Sequence, residues 1–434
     1  MKNKPLTTIE IKEWSITIAT TKTFKNKPIS IFNETKFFDI PVLNSNGLVI
    51  EPIMVKKALG NIFNQCSLEF SKEYLKEVIC ILPSQTYIKT PIKNSFRLSA
   101  DQPINKEMID KLKLSIEKKL KENDHNEIFN LNFENILVND KKWENFEEIN
   151  GSLVTFIYNY ETIDKAVYKS HTSIVKSFGK QISKIVPNIQ ALFNIPNSGI
   201  KTPENAIIIN WENNKVEFGV FKKNSIQTFK TLNQGFDKVI EKMAKKFNID
   251  ENLCRKYLFE SLDLNSNNFL SNIILKVKNF KNEYEFNGYI FKKEFIKQID
   301  EVLKKITEII SQSLGNELFR FPIYHYGILT QITNISKFFK TKTTTNNFFG
   351  SFSLIGTLNE CILATTYGVW NTIDTLIKNE KSFDKLQPKK VEANLSFDFF
   401  NHPSENGYMQ ALFLKQDGII IDKVKPNEGE QKYE

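Results

Sequence analysis

Two stretches of this 434-residue chain carry apolar, β-branched runs on both sides of a short polar break, and they constrain the fold more than any other feature. One is 9-IEIKEWSITIATTKTFKNKPISIF-32; the other is 205-NAIIINWENNKVEFGVFKKN-224. Such runs specify hairpins, because the turn residues need solvent while the flanks need a neighbouring strand. The first is expected to turn at Thr20-Thr21-Lys22 and the second at Trp211-Glu212-Asn213-Asn214-Lys215. Helical patterning follows each, so the chain reads as two α/β halves of about 200 residues with similar openings, a duplicated unit.

The intervening texture sets the boundaries. Apolar residues at helical spacing over 52–70 precede a short buried strand at 76–83. Strands at 85–90 and 127–138 flank a helix at 105–122, which marks 84–152 as an inserted α+β subdomain. The first half is then 1–83 with 153–200, resuming at a buried strand, 152-SLVTFIYN-159, and an amphipathic helix at 161–179. The second half is 201–232 with 291–385, including a long helix at 292–315; helices at 234–248 and 251–262 lie in a smaller subdomain, 233–290. Residues 386–434 read as an irregular tail with one hairpin, 409–424, turning at Gln-Asp-Gly.

Composition narrows the function classes. The formal charge is +9, but the cations are almost all lysine, with arginine only at 97, 255 and 320, and glutamates are interspersed. Arginine is the usual reader of base edges, so nucleic acid is not expected as a partner. Four cysteines without CxxC spacing and four scattered histidines predict reduced thiols and no metal. No run of 18 apolar residues occurs and the N-terminal stretch has no signal-peptide core, which predicts an intracellular soluble protein. Cys66 and His171 lie on apolar-patterned segments and read as core, and His325 reads as a hydrogen-bonded core histidine.

The order of these elements resembles the actin/Hsp70/sugar-kinase ATPase superfamily, and within it the bacterial division protein family FtsA. The FtsA first phosphate turn, Asp/Glu-Ile-Gly-Thr-x-Lys, fits Thr17-Ile18-Ala19-Thr20-Thr21-Lys22 without a gap. The second, Val-Val-Asp-Ile-Gly-Gly-Gly-Thr-x-Asp-Ile-Ala-Val-Tyr, lies over Ile208 to Phe221. The family's Leu-Thr-Gly-Gly falls on His325-Tyr326-Gly327-Ile328, Gly235 heads the helix after the second hairpin, and 364-ATTYGVW-370 resembles the closing helix. An α+β domain inserted in the first half is also an FtsA feature. The resemblance implies an actin-like fold of two ribonuclease-H-like halves with an SHS2-like insertion.

The resemblance also implies where nucleotide would sit: Thr20, Thr21, Lys22, Asn213, Asn214, Lys215, Gly235, Lys256 and Gly327. The motifs around them are degraded, although Thr20, Thr21, Lys22 and Lys215 keep hydroxyl and ammonium donors. Glu212, Asn213 and Asn214 stand on the three glycine positions, although phosphate turns use glycine to bring backbone N–H groups close to oxygens. A glutamate pointing inward would repel a phosphate by about 4 kcal/mol at about 4 Å and an effective dielectric of about 20. The carboxylates that hold Mg²⁺ in the family correspond to Thr17 and Asn210, and the family's Glu-x-x-Lys keeps only Lys256. The expectation is therefore a pseudo-ATPase with no catalytic residue and no cofactor, ATP with Mg²⁺ being the disfavoured alternative.

For partners, the resemblance implies the C-terminal tail of the tubulin-like GTPase FtsZ, docking on 233–290, where Lys242, Lys245, Lys246, Arg255 and Lys256 suit an acidic peptide. It further implies self-association into filaments, other division proteins, and a place at the inner face of the membrane at the division site. The stretch 422-DKVKPNEGEQKYE-434 lacks the amphipathic face of a membrane anchor, so membrane contact is expected through a partner or through Phe397, Phe399 and Phe400. An active ATPase and a pilus-assembly adaptor of the same architecture are the alternatives.

Overall fold

The computed structural model describes residues 5–24, 27–69, 75–122, 126–143, 149–195, 204–264, 274–279, 282–342, 347–349, 363–370 and 420–423. The first half begins with β1 (Leu6–Ile11), β2 (Ser15–Phe24) and β3 (Lys27–Phe37), then α1 (Pro52–Glu69) and β4 (Glu77–Leu82). The insertion follows as β5 (Ile88–Ile104), α2 (Lys106–Lys121), β6 (Asn126–Val138), β7 (Lys141–Lys142) and β8 (Ile149–Asp164). The chain returns through α3 (Lys165–Lys176) to β9 (Gln181–Pro187) and α4 (Asn188–Phe193). The second half holds β10 (Ala206–Trp211), β11 (Val216–Lys222), β12 (Ser225–Leu232), α5 (Phe236–Phe247), α6 (Glu251–Glu260), β13 (Ile274–Asn279) and β14 (Asn282–Asn287). It ends with α7 (Gly288–Leu314), β15 (Ile323–Gly327), α8 (Ile335–Lys342), β16 (Asn347–Phe349), a helix over 364–370, and β17 (Ile420–Lys423).

The two halves share one sheet topology. The first sheet runs β3-β2-β1-β4-β9 and the second β12-β11-β10-β15-β16. In both, three antiparallel strands are followed by two parallel ones. Parallel strands must be covered on both faces, and β10 is buried along its whole length. Its alternation splits it between two cores: Ile207, Ile209 and Trp211 pack with α5 and α7, while Ala206 and Ile208 pack with Ile189 and Phe193 of α4 and with Ala364 and Tyr367 of the closing helix.

The long helix α7 shows how the sequence sets this packing. Its buried residues Phe291, Phe295, Ile299, Val302, Ile306 and Ile310 recur every three or four positions, which puts them on one face. Each contributes roughly 1.5–3 kcal/mol on burial. The helix starts at Gly288, four residues before the expected 292, because the Asn287 side chain accepts the Tyr289 and Ile290 N–H groups at 2.9 and 3.1 Å and caps it there.

Two expectations on organisation change. The strand at 152–159 does not return to the first-half sheet; it belongs to the 16-residue β8, which lies between β5 and β6 in the insertion's own sheet. Val154, Phe156 and Tyr158 are buried there against Ile109 and Ile116 of α2, so the apolar run that looked like a main-sheet strand serves a separate core. The inserted sheet thus reaches Asp164, which accepts from the Ala166 and Val167 N–H groups and caps α3. In the tail, β17 pairs antiparallel with β13. The remainder of the expected 409–424 hairpin, with its Gln-Asp-Gly turn, lies outside the described residues, as do Phe397, Phe399 and Phe400. Among the described residues, no helix is long and apolar enough to cross a membrane.

Candidate functional site between the two hairpin turns

The turns of the two halves are closed by the same backbone hydrogen bond. Lys12 N–H donates to Ser15 O at 2.8 Å, and Glu212 N–H donates to Lys215 O at 3.0 Å. The registers agree, with Ile11 opposite Ile16 and Trp211 opposite Val216. Equivalent positions therefore lie 200 apart, 12 with 212 and 15 with 215. The first turn is Lys12-Glu13-Trp14, and the residue equivalent to Asn210 is Glu10, not Thr17.

This corrects the placement of Thr20, Thr21 and Lys22. All three lie inside β2, where Thr20 Oγ1 meets Thr7 Oγ1 at 3.0 Å and Thr21 Oγ1 donates to Leu6 O at 3.5 Å. At roughly 3.3 Å per residue they stand about 20 Å or more from the turn and cannot meet a ligand there. Thr17 is likewise a strand residue, bonded to Thr35 at 3.0 Å.

The second turn is anchored through its carbonyls. Glu212, Asn213 and Asn214 accept from the N–H groups of Phe236, Asp237 and Gly235, at 3.0, 2.6 and 3.1 Å, which satisfies the amino end of α5. A side chain on Gly235 would collide with the backbone of Asn214 and Lys215, so glycine is required for this approach. Gly327, at φ +85°, closes β15 against the Trp211 carbonyl in the same way. Arg255 of α6 reaches Asn213 Oδ1 at 3.5 Å and pairs with Asp237, while Lys256 lies 4.0 Å from Glu260 on its own helix.

Side chains fill the space between the turns with partners for one another. Lys215 Nζ is 2.8 Å from Glu217 Oε1 and 3.6 Å from Glu212 Oε2, and Asn210 Nδ2 donates to Glu212 Oε1 at 3.1 Å. Asn214 donates across the cleft to Glu13. Glu10 pairs with Lys12 at 3.4 Å and accepts from Thr365 Oγ1 at 2.6 Å. Burial, with the nearby charge of Glu217, pushes the Glu212 carboxyl up to about 7 despite the opposing pull of Lys215 and Lys12. Burial works against the charge on Lys215, but Glu217 and Glu212 outweigh it and hold the ammonium protonated.

Below the second turn, Trp211 Nε1–H donates to His325 Nδ1 at 3.2 Å. The remaining ring proton must then sit on Nε2, which donates to Asn347 Oδ1 at 3.0 Å. His325 is fully buried, as expected of a core histidine, and ties β10, β15 and β16 together. His171 is buried as well, its Nε2 2.9 Å from Gly47 O.

The structure brings Asn213, Asn214, Lys215, Gly235 and Gly327 to one place and leaves Thr20, Thr21 and Lys22 outside it. The sequence reading missed Glu10, Lys12, Glu13, Gln85, Asn188 and Glu217. The available signal was the polar Lys12-Glu13-Trp14 break inside the first apolar stretch. Of the residues expected to meet a partner, Lys242 pairs with Glu301 at 3.3 Å, Lys246 with Glu294, and Arg255 with Asp237; Lys245 is exposed in the last turn of α5.

No protein-family model matches the sequence, and no curated protein matches it. Among solved structures, MreB5 of Spiroplasma citri bound to ADP aligns with a TM-score of 0.50 at 11% identity, over 87% of this chain and 100% of that one. The fold is actin-like. The same Spiroplasma citri protein bound to AMPPNP gives 0.49 at 10% identity, over 87% and 98% of the two chains. A PilM-PilN type IV pilus biogenesis complex gives 0.48 at 13% identity, over 85% and 95%. At these identities the likeness establishes architecture, and function must be argued from the cleft itself.

Proposed function

We propose that this chain is a non-catalytic actin-like scaffold that works by binding other proteins. One observation carries the reading: at the position of the glycine-rich second turn, Glu212 and Lys215 satisfy each other, Asn210 and Glu217, in the space between the two hairpins. A phosphate entering there would have to displace these contacts and face the carboxylates of Glu10, Glu13, Glu212 and Glu217. Equilibrium dialysis against Mg-ATP is expected to show no binding in the micromolar range, and micromolar affinity would overturn the proposal.

The finer reading is that of an FtsA-like division scaffold, and its support is the resemblance in element order and insertion point. Its partner would be the FtsZ C-terminal tail, received by α5 and α6, with Lys242, Lys245 and Lys246 as exposed cations. Fluorescence anisotropy with that peptide is the test. Saturable binding below millimolar concentration, reduced by Lys245→Glu, is expected; failure to bind alongside binding of a pilus-protein peptide would move the protein to the pilus-adaptor class.

One observation favours the active-ATPase alternative. Glu10 supplies a carboxylate at the first-turn position equivalent to Asn210, where the sequence register had placed Thr17. Glu10 is engaged by Lys12 and Thr365 rather than open to the cleft. If Mg-ATP did bind and Glu10→Gln abolished it, this alternative would prevail.

A further inference from the structure

The carboxylate of Glu217 is fully buried, at 0% exposure, on β11 of the second half. Such a charge is tolerated only where hydrogen bonds and a counter-ion replace water. Lys215 is the counter-ion at 2.8 Å and comes from the same hairpin. The other two partners come from the first half: Gln85, just after β4, donates through Nε2 to Oε1 at 2.7 Å, and Asn188, which follows directly on β9, donates through Nδ2 to Oε2 at 3.0 Å. Asn188 is held in turn by Ser84, which donates to its Oδ1.

We infer that Glu217, gripped by Gln85 and Asn188, is a latch that fixes the angle between the two halves without a nucleotide. Separating the halves at this level would strip Glu217 of two of its three partners while leaving it deep in the protein, so the closed arrangement is favoured by the cost of opening. Gln85 bears the mark of this role. Its Oε1 is buried with no hydrogen-bond partner among the described residues, so the side chain gives up one acceptor to deliver its donor to Glu217. A second clasp sits nearer the turns, where Asn214 reaches across to Glu13. Beneath both, an apolar interface continues from Ala19 and Tyr87 through Ile189 to Ile208 and Phe221 and serves as the floor about which any opening must pivot.

The latch rests on the reading of the cleft as nucleotide-free, and one experiment separates them. Spin labels placed at the exposed positions Lys57 and Lys245, through Lys57→Cys and Lys245→Cys in the full chain, report the distance between the halves by pulsed electron resonance. Cys66, Cys80 and Cys254 are buried, and Cys361, outside the described residues, is replaced by serine in the parent and in every variant. The parent protein should give one narrow distribution that Mg-ATP and Mg-ADP leave unchanged. Adding Gln85→Ala and Asn188→Ala should widen or displace it while the circular-dichroism spectrum is kept. If the double variant fails to fold, Gln85→Met alone removes one donor at similar volume and should give a smaller widening. An unchanged distribution in the folded variant overturns the latch; a nucleotide-induced shift in the parent overturns the nucleotide-free reading and leaves the latch to be judged by the variants.

Discussion

Acid should loosen the strand ends beneath the second turn through His325. The neutral ring is locked in one tautomer, with Nδ1 accepting from Trp211 and Nε2 donating to Asn347, and it stacks on Phe349 with ring centroids 4.6 Å apart. Protonation at Nδ1 would set an N–H against the indole N–H and bury a cation. Burial, slightly opposed by the bond to Asn347, lowers the imidazole from its ordinary 6.5 to about 4. Because the folded-state pKa lies below the unfolded one, this group's contribution is complete above pH 6.5 and is lost as pH falls toward 4. At 1.36 kcal/mol per pKa unit, the fall from 6.5 to about 4 corresponds to about 3 kcal/mol. Urea unfolding at pH 7.5 and at pH 4 measures it. A His325→Gln variant keeps an acceptor for Trp211 and a donor for Asn347 without the titration, so it should lose about 3 kcal/mol less than the parent on acidification. Equal losses in the two proteins, or an NMR titration of His325 centred near 6.5, would refute the reasoning.

The opposite sign holds at Glu212. Its raised pKa makes its contribution complete below about 4.5 and lost as pH rises through about 7, so Glu212→Gln should flatten the stability profile across that window, read by urea midpoints at half-unit intervals. Gly235→Ala should destabilise by roughly 2 kcal/mol or more, since a Cβ meets fixed backbone of the second turn; thermal unfolding tests it, and a cost below about 0.5 kcal/mol would contradict the close approach. Gly327→Ala should cost a similar, roughly 2 kcal/mol, because positive φ and the Trp211 carbonyl both oppose it.

The fold was legible where physical periodicity and burial agree. The fully buried β10, apolar but for Asn210, the helical face of α7 and the alternating β6 can each be recognised from the residues alone, because burial on two faces, on one face, or half-burial leaves a different pattern. The strand at 152–159 reads as buried, and it is, but its partner strands are β5 and β6 of the insertion rather than those of the first-half sheet. Burial is a local signal, while the choice of partner strand depends on contacts with α2 that are far away in sequence. The site was less legible still. Glu217 reads as one glutamate in a strand, and its role depends on Gln85 and Asn188, which lie 132 and 29 residues away.

The first turn shows how a letter match can outrun the physics. Thr17-Ile18-Ala19-Thr20-Thr21-Lys22 fits a phosphate-turn string without a gap, yet threonine and isoleucine are strand formers, and the run simply continues β2. The residues that cannot continue a two-sided buried strand are Lys12, Glu13 and Trp14, and that is where the chain reverses. Moving the turn changes the chemical argument as well. With Thr17 in the acid position, both halves had lost their carboxylates and the cleft looked merely degraded. With Glu10 there, the first half has an acid paired with Lys12 and the second has Asn210, while Asn214 donates to Glu13 and Lys215 pairs with Glu212 and Glu217 in the space between. The proposal of a site without nucleotide therefore no longer depends on missing glycines; it depends on contacts among Glu13, Asn214, Glu212, Lys215 and Glu217, and these can be removed one at a time.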